Sequence, residues 1–154
     1  MSLKRVVNKM FSNFNISASG LTAQRLRMDI ISGNIANVNT TRTDEGEPYR
    51  RKLPIFSEKG DSFTNKFNSY IKSGNSNSAR GVEVEEISED TSPFKQVYRP
   101  DHPDANENGY VEMPNINITS EMVDMIEASR AYEANVTALN TSKNMSMKAL
   151  EIGR

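Results

Sequence analysis

The positions of the prolines constrain the fold of this chain more than any other feature. All six prolines of the 154 residues lie between residues 48 and 114. Proline interrupts a helix because it lacks the backbone N–H and its ring clashes with the preceding turn. The segments on either side therefore remain free to form long helices, each about 45–50 Å at 1.5 Å per residue. We predict two terminal helical segments, 1–39 and 116–154, flanking a different kind of middle, 40–115.

The N-terminal segment carries a narrow row of apolar residues at helical spacing. The row steps by seven residues, with two further members on the adjoining row: Phe14, Leu21, Met28, Ile35, Ile31 and Val38. A row this narrow favours packing against another helix rather than against a globular core. Serine, glycine and asparagine are frequent in the same segment and are poor helix formers. We expect this helix to be weak on its own.

The C-terminal segment repeats the pattern in steps of three and four residues, interrupted at Ser129, Lys143 and Ser146. Its apolar row consists of Ile118, Met122, Met125, Tyr132, Val136, Leu139 and Leu150. Ala131, with alanines three residues to either side, adds a small surface that lets helices approach closely. Asn117 or Thr119 is a candidate N-cap, and Gly153 a candidate C-cap. The two rows together are our predicted interface between helices or between subunits.

The middle segment reads as short strands joined by turns. Alternating or β-branched runs predict strands over 49–56, 82–87, 94–98 and 110–113. A polar stretch at about 58–80 predicts a mobile loop, and Asn108-Gly109 predicts a tight turn. The predicted fold class is α+β, with two long terminal helices paired as a coiled-coil-like arm and a small, mostly β middle module.

Composition leaves little room for catalysis. The chain has no cysteine, which excludes disulfides, thiol chemistry and cysteine-based metal sites. Its single histidine, His102, lies between two prolines, where a polar turn residue is a better interpretation than a general base. No glycine pattern typical of a phosphate-binding loop occurs. We predict no enzyme activity, no cofactor and no small-molecule substrate.

One stretch copies half of a calcium-binding loop. Residues 104–109 read Asp-Ala-Asn-Glu-Asn-Gly, matching its first six positions. The bidentate carboxylate required at the twelfth position is replaced by Asn115. An asparagine-stabilised turn is therefore the better interpretation.

Charge also limits the partners. Nineteen basic residues face 20 acidic ones, so bulk positive charge does not predict a nucleic-acid binder. The acidic run 83–90 is interpreted as a solvated strand face, with a patch opposing the basic residues 50–52 as the alternative.

The N-terminus has no apolar run of signal-peptide type, so we expect export, if any, without a cleaved signal peptide. Because one helix pair buries too little to offset its ordering, we expect the helices to order fully only among neighbouring subunits.

Particular motifs resemble a known family. Residues 16–41 resemble the N-terminal helix motif of bacterial flagellar axial proteins of the rod and hook. The residues that carry the likeness are Ser19-Gly20-Leu21, Ala23-Gln24, Arg27-Met28-Asp29 and Asn34-Ile35-Ala36-Asn37. Residues 93–118, with the His-Pro, Gly-Tyr-Val and Met-Pro-Asn spacing, and residues 121–145 are similar to a member of the proximal rod.

The resemblance implies a structural role. Such proteins are exported unfolded through the flagellar type III export apparatus and assemble with copies of themselves and other rod proteins. The product is a helical tube, the periplasm-spanning rod of the basal body, which transmits torque from motor to hook. The resemblance implies that the paired terminal helices line this tube, with the middle module outside. A cytoplasmic coiled-coil adaptor or export partner remains the alternative interpretation.

Overall fold

The computed structural model describes residues 3–60 and 80–151 of the chain. Two helices of 34 residues each lie at its ends, α1 over Leu3–Ala36 and α2 over Ile118–Glu151. Four strands lie between them: β1 Lys52–Glu58, β2 Val82–Glu89, β3 Lys95–Tyr98 and β4 Tyr110–Met113. The predicted α+β class and its order of elements are confirmed. Coiled-coil packing of the helices stays an expectation, as does the division into segments 1–39, 40–115 and 116–154.

The boundaries of the helices can be compared with the predicted caps. Asn117 caps α2, since its Oδ1 accepts hydrogen bonds from the backbone N–H groups of Thr119 at 3.0 Å and Ser120 at 3.4 Å. Of the two candidate caps, Asn117 is therefore the N-cap. The helix α1 ends at Ala36, three residues before the predicted boundary, and continues into a turn. The predicted C-cap, Gly153, and most of the predicted loop, residues 61–79, lie outside the described residues.

The strands form two separate two-stranded sheets, β1 with β2 and β3 with β4. Strands β3 and β4 are antiparallel, with Val97 opposite Val111 and Tyr98 opposite Tyr110. The two tyrosine rings meet edge to face at 5.3 Å between centroids, although both side chains are exposed. In β2, half-buried Val82 and Val84 alternate with exposed glutamates, as expected for a strand with one solvated face.

The described residues divide into two compact units. The first comprises residues 3–24, 56–60, 80–85 and 131–151; the second comprises residues 25–55 and 86–130. Buried apolar side chains are few in the described part of the chain: Ala23 in the first unit, and Ile31, Val111 and Ala128 in the second. Two polar residues of the second unit, Asn34 and Glu121, are as deeply buried. Within the described residues, no helix is both long enough and apolar enough to span a bilayer.

Candidate assembly interface

Glu121 is the largest fully buried side chain among the described residues, with 1 % of its surface exposed. It lies in the first turn of α2, and each of its carboxylate oxygens accepts a hydrogen bond. Arg51 Nε donates to Oε1 at 2.6 Å, and Asn34 Nδ2 of α1 donates to Oε2 at 3.1 Å. A buried carboxylate is tolerated only when it is paired and hydrogen-bonded in this way. We call Asn34, Arg51 and Glu121 the polar cluster.

Asn34 uses its whole hydrogen-bonding capacity. Its Oδ1 accepts from the backbone N–H of Lys52 at 3.0 Å and from the hydroxyl of Tyr49 at 3.2 Å. Its Nδ2 donates to the backbone oxygen of Lys52 at 2.9 Å as well as to Glu121. An amide has two donor hydrogens and two acceptor lone pairs, so nothing is left unsatisfied. The side chain thus joins α1 to residues 49–52 and to α2 at once.

Two further charged residues, Asp124 and Arg27, lie beside the polar cluster and balance its charge. Asp124, one turn after Glu121, accepts from Arg27 of α1 at 3.0 Å and from Arg51 at 3.4 Å. Two guanidinium groups therefore face two carboxylates, and the group as a whole is neutral. The side chains of Arg27, Arg51 and Asp124 remain 23–30 % exposed, so these outer pairs are weaker than the buried one.

Tyr49 lies at the edge of the same arrangement. Burial raises the pKa of its hydroxyl above the ordinary value, and the negative charges of Glu89 and Glu121 raise it further. The neutral hydroxyl is the form that donates to Asn34. The arrangement therefore favours a protonated Tyr49.

The first unit is built on small residues instead. A Cβ added to Gly20 of α1 would lie 3.0–3.2 Å from three atoms of the Asn135 side chain on α2. A Cβ added to Gly81 would overlap the Ser19 hydroxyl oxygen. That hydroxyl accepts from the backbone N–H of Val82 at 3.1 Å and donates to the oxygen of Ile16 at 2.7 Å. Helix α1 thus lies so close to α2 and to the start of β2 that a side chain at Gly20 or Gly81 would require Asn135 or Ser19 to move.

An exposed apolar face occupies the start of α2. Ile118, Met122 and Ile126 follow one another at four-residue intervals and are 46 %, 58 % and 53 % exposed. Val123, beside them, is 53 % exposed. Glu121 and Ala128 point elsewhere, into the buried side of the helix. We call Ile118, Met122, Val123 and Ile126 the exposed apolar face; further along α2, Met145 and Met147 are also exposed.

The predicted interface residues have mixed environments in the single chain. Ile31 is buried, Met122 is exposed, and the side chain of Leu150 lies outside the described residues. The others are half-buried: Phe14, Leu21, Met28, Ile35, Val38, Met125, Ala131, Tyr132, Val136 and Leu139. Their role between subunits stays a prediction.

Sequence reasoning missed the polar cluster. Asn34 entered the sequence analysis as a poor helix former and as part of the family motif, and Glu121 fell outside the apolar row. Both interrupt apolar spacing: Asn34 follows Ile31 by three residues, and Glu121 follows Ile118 by three. A single polar residue at a core-facing position of each helix was the available signal.

The loop between β3 and β4 confirms the turn interpretation of residues 104–109. Asn106 Oδ1 accepts from the backbone N–H groups of Asn108 at 3.0 Å and Tyr110 at 2.9 Å. Gly109 adopts a φ of 77°, which few other residues tolerate. His102 also serves the local backbone, since its Nδ1 accepts from the N–H of Asp104 at 3.2 Å. These side chains hold a turn together.

The basic residues 50–52 do not form one patch against the acidic run. Arg51 belongs to the polar cluster, and Arg50 lies over the Phe94 ring at 4.4 Å. The backbone oxygen of Arg51 accepts from the N–H of Asp90 at 2.8 Å. The side chain of Lys52 also reaches the run, with its Nζ 3.9 Å from Glu89 Oε1, and the side chains of Lys52 and Glu89 are about half exposed. Such a pair contributes under about 1 kcal/mol. The solvated-face interpretation therefore describes the run better.

Two family models match the chain at its two ends. "Flagella basal body rod protein" matches residues 14–42, and "Flagellar basal body rod FlgEFG protein C-terminal" matches residues 107–152. The two matches include Asn34 and Glu121 of the polar cluster and the whole exposed apolar face.

Full-length relatives agree with both family models. The chain is 53 % identical to the flagellar basal-body rod protein FlgC of Bacillus subtilis, over 94 % of this chain and 98 % of the relative. It is 49 % identical to FlgC of Borreliella burgdorferi over 93 % and 97 %, and 37 % identical to FlgC of Escherichia coli O157:H7 over 92 % and 96 %. These comparisons give no support to a cytoplasmic adaptor or export partner. The chain belongs to the FlgC family of flagellar basal-body rod proteins, and it is a structural subunit of the rod.

Proposed function

We propose that this rod subunit assembles with other rod proteins and copies of itself into a helical tube that carries torque from motor to hook. The exposed apolar face of α2 carries the proposal. Four large apolar side chains, each 46–58 % exposed, cluster on two and a half turns of one helix. Contiguous exposed apolar surface is typical of a protein-binding site, because water disfavours it.

The small core supports the same role. Within the described residues only four apolar side chains other than prolines are buried, and two of these are alanines. Helices with so little cover gain stability when neighbouring subunits bury their remaining apolar surface. Transmission of torque requires interfaces that resist shear, and it requires no catalytic group. The predicted interface residues, including Met122, are proposed to form these contacts.

The assembly step can be tested in a strain that lacks the gene. Isolated basal bodies imaged by electron microscopy are expected to show membrane rings without a complete rod, and the intact gene is expected to restore it. Met122→Asp or Ile126→Asp is expected to abolish restoration, because a charge would be placed in a buried subunit contact. Ser120→Asp is the matched control, since it adds the same charge to an exposed polar position of the same helix. Rods restored equally well by all three variants would contradict the proposed interface.

Export is the second part of the proposal. Family membership supports passage through the flagellar type III export apparatus without a cleaved signal peptide. The chain extracted from isolated basal bodies is then expected to have the mass of the uncleaved sequence, by intact-mass spectrometry. Loss of an N-terminal segment, or delivery in a strain whose export apparatus is inactive, would contradict this part.

A further inference from the structure

The polar cluster connects three parts of the chain that are far apart in sequence. Glu121 belongs to α2, Asn34 to α1, and Arg51 to the segment that leads into β1. Of the four hydrogen bonds that Asn34 makes, three involve residues 49–52 and one involves Glu121. Among the described residues, Arg51 of the same segment is the one cation paired with Glu121. The helices alone would leave both side chains incompletely satisfied.

The consequences of removing residues 49–52 follow from burial. Glu121 would keep one hydrogen bond from Asn34 but would have no counter-charge at its buried position. Arg27 offers no replacement among the observed contacts, since it pairs with Asp124 and lies 3.9 Å from Glu127. A buried carboxylate without its cation is far less stable than the same group in water. Contact between α1 and α2 at this level is therefore unfavourable until Arg51 is in place.

We propose that the polar cluster makes the contact between α1 and α2 in the second unit conditional on docking of residues 49–52. The two helices then pair only when the chain between them has folded against them. An α1 helix whose following segment has not docked could satisfy the apolar positions but would not supply Arg51 or the backbone of Lys52. The cluster thus disfavours pairing of α2 with an α1 helix whose residues 49–52 are not folded against it. The inference does not depend on the proposed contacts in the rod.

Hydrogen exchange of the full-length chain, followed by mass spectrometry, tests the condition. The readout is the exchange rate in peptides covering residues 25–36 of α1 and 118–130 of α2. Arg51→Met keeps an unbranched apolar stem but removes the guanidinium and its charge. It is expected to raise exchange roughly 100-fold or more in both peptides, because it leaves Glu121 buried and unpaired.

The effect of Arg51→Met is then measured again in a chain that also carries Glu121→Met. With the buried charge gone, contact between the helices no longer requires Arg51, and Arg51 keeps Asp124 as a partner near the surface. Arg51→Met is then expected to change exchange less than about threefold when added to Glu121→Met. Arg50→Met is the matched control. It removes the neighbouring guanidinium, which lies over Phe94 and outside the cluster, and is expected to leave both peptides protected.

Three results would overturn the proposal. The first is an equal effect of Arg51→Met in the presence and absence of Glu121, which would show that the two residues act independently. The second is loss of protection in α1 and α2 with Arg50→Met to the same extent as with Arg51→Met. The third is absence of protection in both peptides of the unsubstituted chain, because the proposal requires this part of the helix pair to form in the single chain before neighbouring subunits cover the rest.

Discussion

The two compact units of this chain hold their helices in different ways. In the second unit, α1 and α2 meet through long side chains that exchange charge-assisted hydrogen bonds, centred on Glu121. In the first unit, α1 lies close to α2 at Gly20 and close to the start of β2 at Gly81, and neither glycine has a side chain. The contact in the second unit depends on which polar side chains are present, whereas the contacts in the first unit depend on the small volume of glycine.

The difference determines how each unit responds to substitution. A polar contact fails when one partner is removed, because the other partner stays buried without compensation. A close contact fails when atoms are added, because neighbouring groups must move. The following predictions test this distinction, beginning with the largest expected effect.

Leu21→Asp and Val136→Asp should each disrupt the first unit, because both positions are half-buried there. Loss of apolar burial and desolvation of a carboxylate together cost at least about 2 kcal/mol. We expect no rod assembly in a complementation test, whereas hydrogen exchange of the β3–β4 hairpin in the second unit should stay unchanged. Thr22→Asp, at an exposed neighbouring position, is the control. Normal swimming with either variant would contradict the predicted apolar row.

Gly81→Ala tests the close approach to Ser19. The added methyl group would displace the serine hydroxyl from Val82 and Ile16, at a cost of about 1–3 kcal/mol in the free energy of unfolding. The measurement is chemical denaturation followed by circular dichroism. In a Ser19→Gly background the same change should cost less than about 0.5 kcal/mol, since the obstructing atoms are gone.

Gly60→Ala is the matched control for this experiment, because no atom lies within 4 Å of the added group. An equal loss of stability at positions 60 and 81 would show that backbone freedom, rather than space, explains the glycine at 81.

Gly33→Ala and Gly20→Ala compare the two units directly within one helix. Alanine in place of a helical glycine stabilises by about 0.5–1 kcal/mol. At Gly33, in the second unit, only the Tyr49 hydroxyl lies near, at 3.9 Å, so we expect the full gain. At Gly20 the Asn135 side chain must shift and weaken its bond to the Ala131 oxygen, so we expect no net gain.

Thermal unfolding followed by circular dichroism would separate these two glycine variants. Adding Asn135→Ala to Gly20→Ala should recover the helix-propensity gain. Equal stabilisation by the two single substitutions would remove the proposed steric difference between the units.

Tyr49 gives a small effect, and the effect depends on pH. Because the pKa of Tyr49 is raised in the folded protein, its contribution to stability is complete below pH 10 and is lost as pH rises through the folded-state pKa. Tyr49→Phe removes one hydrogen bond to Asn34, worth about 0.5–1.5 kcal/mol near neutral pH. The difference in stability between the two proteins should shrink above pH 10. A difference that stays constant up to pH 11 would contradict this role of the hydroxyl.

Local chemistry explains what the sequence could predict. The proline-free ends, the Asn117 cap and the turn at Asn108-Gly109 each depend on residues within a few positions of one another. The four strands were located to within three residues at each end. The largest shift is at the start of β1, which we predicted at Tyr49 and which begins at Lys52. Tyr49 and Arg51 are instead engaged by Asn34 and Glu121.

The polar cluster was beyond this kind of reasoning. Its hydrogen bonds join residues 18, 70 and 87 positions apart, and no local rule pairs them. Residue type was misleading as well, since glutamate in a first helical turn is ordinarily an exposed partner of the helix dipole. Apolar spacing indicates which side of a helix is buried, but it does not indicate which polar residue shares that side.

The side chain of Asn34 also alters the free edge of a sheet. It bonds both backbone groups of Lys52, which therefore point away from β2, while the oxygen of Arg51 accepts from Asp90 on the other side. Backbone groups alternate in direction along a strand, so Pro54 falls on the same edge as Lys52 and offers it no N–H. A strand of another chain could not pair with Lys52, whose backbone groups are already bonded to Asn34, and would receive no hydrogen bond from Pro54. The β1 edge is thus protected against pairing with a strand of another chain, which is a common route to aggregation.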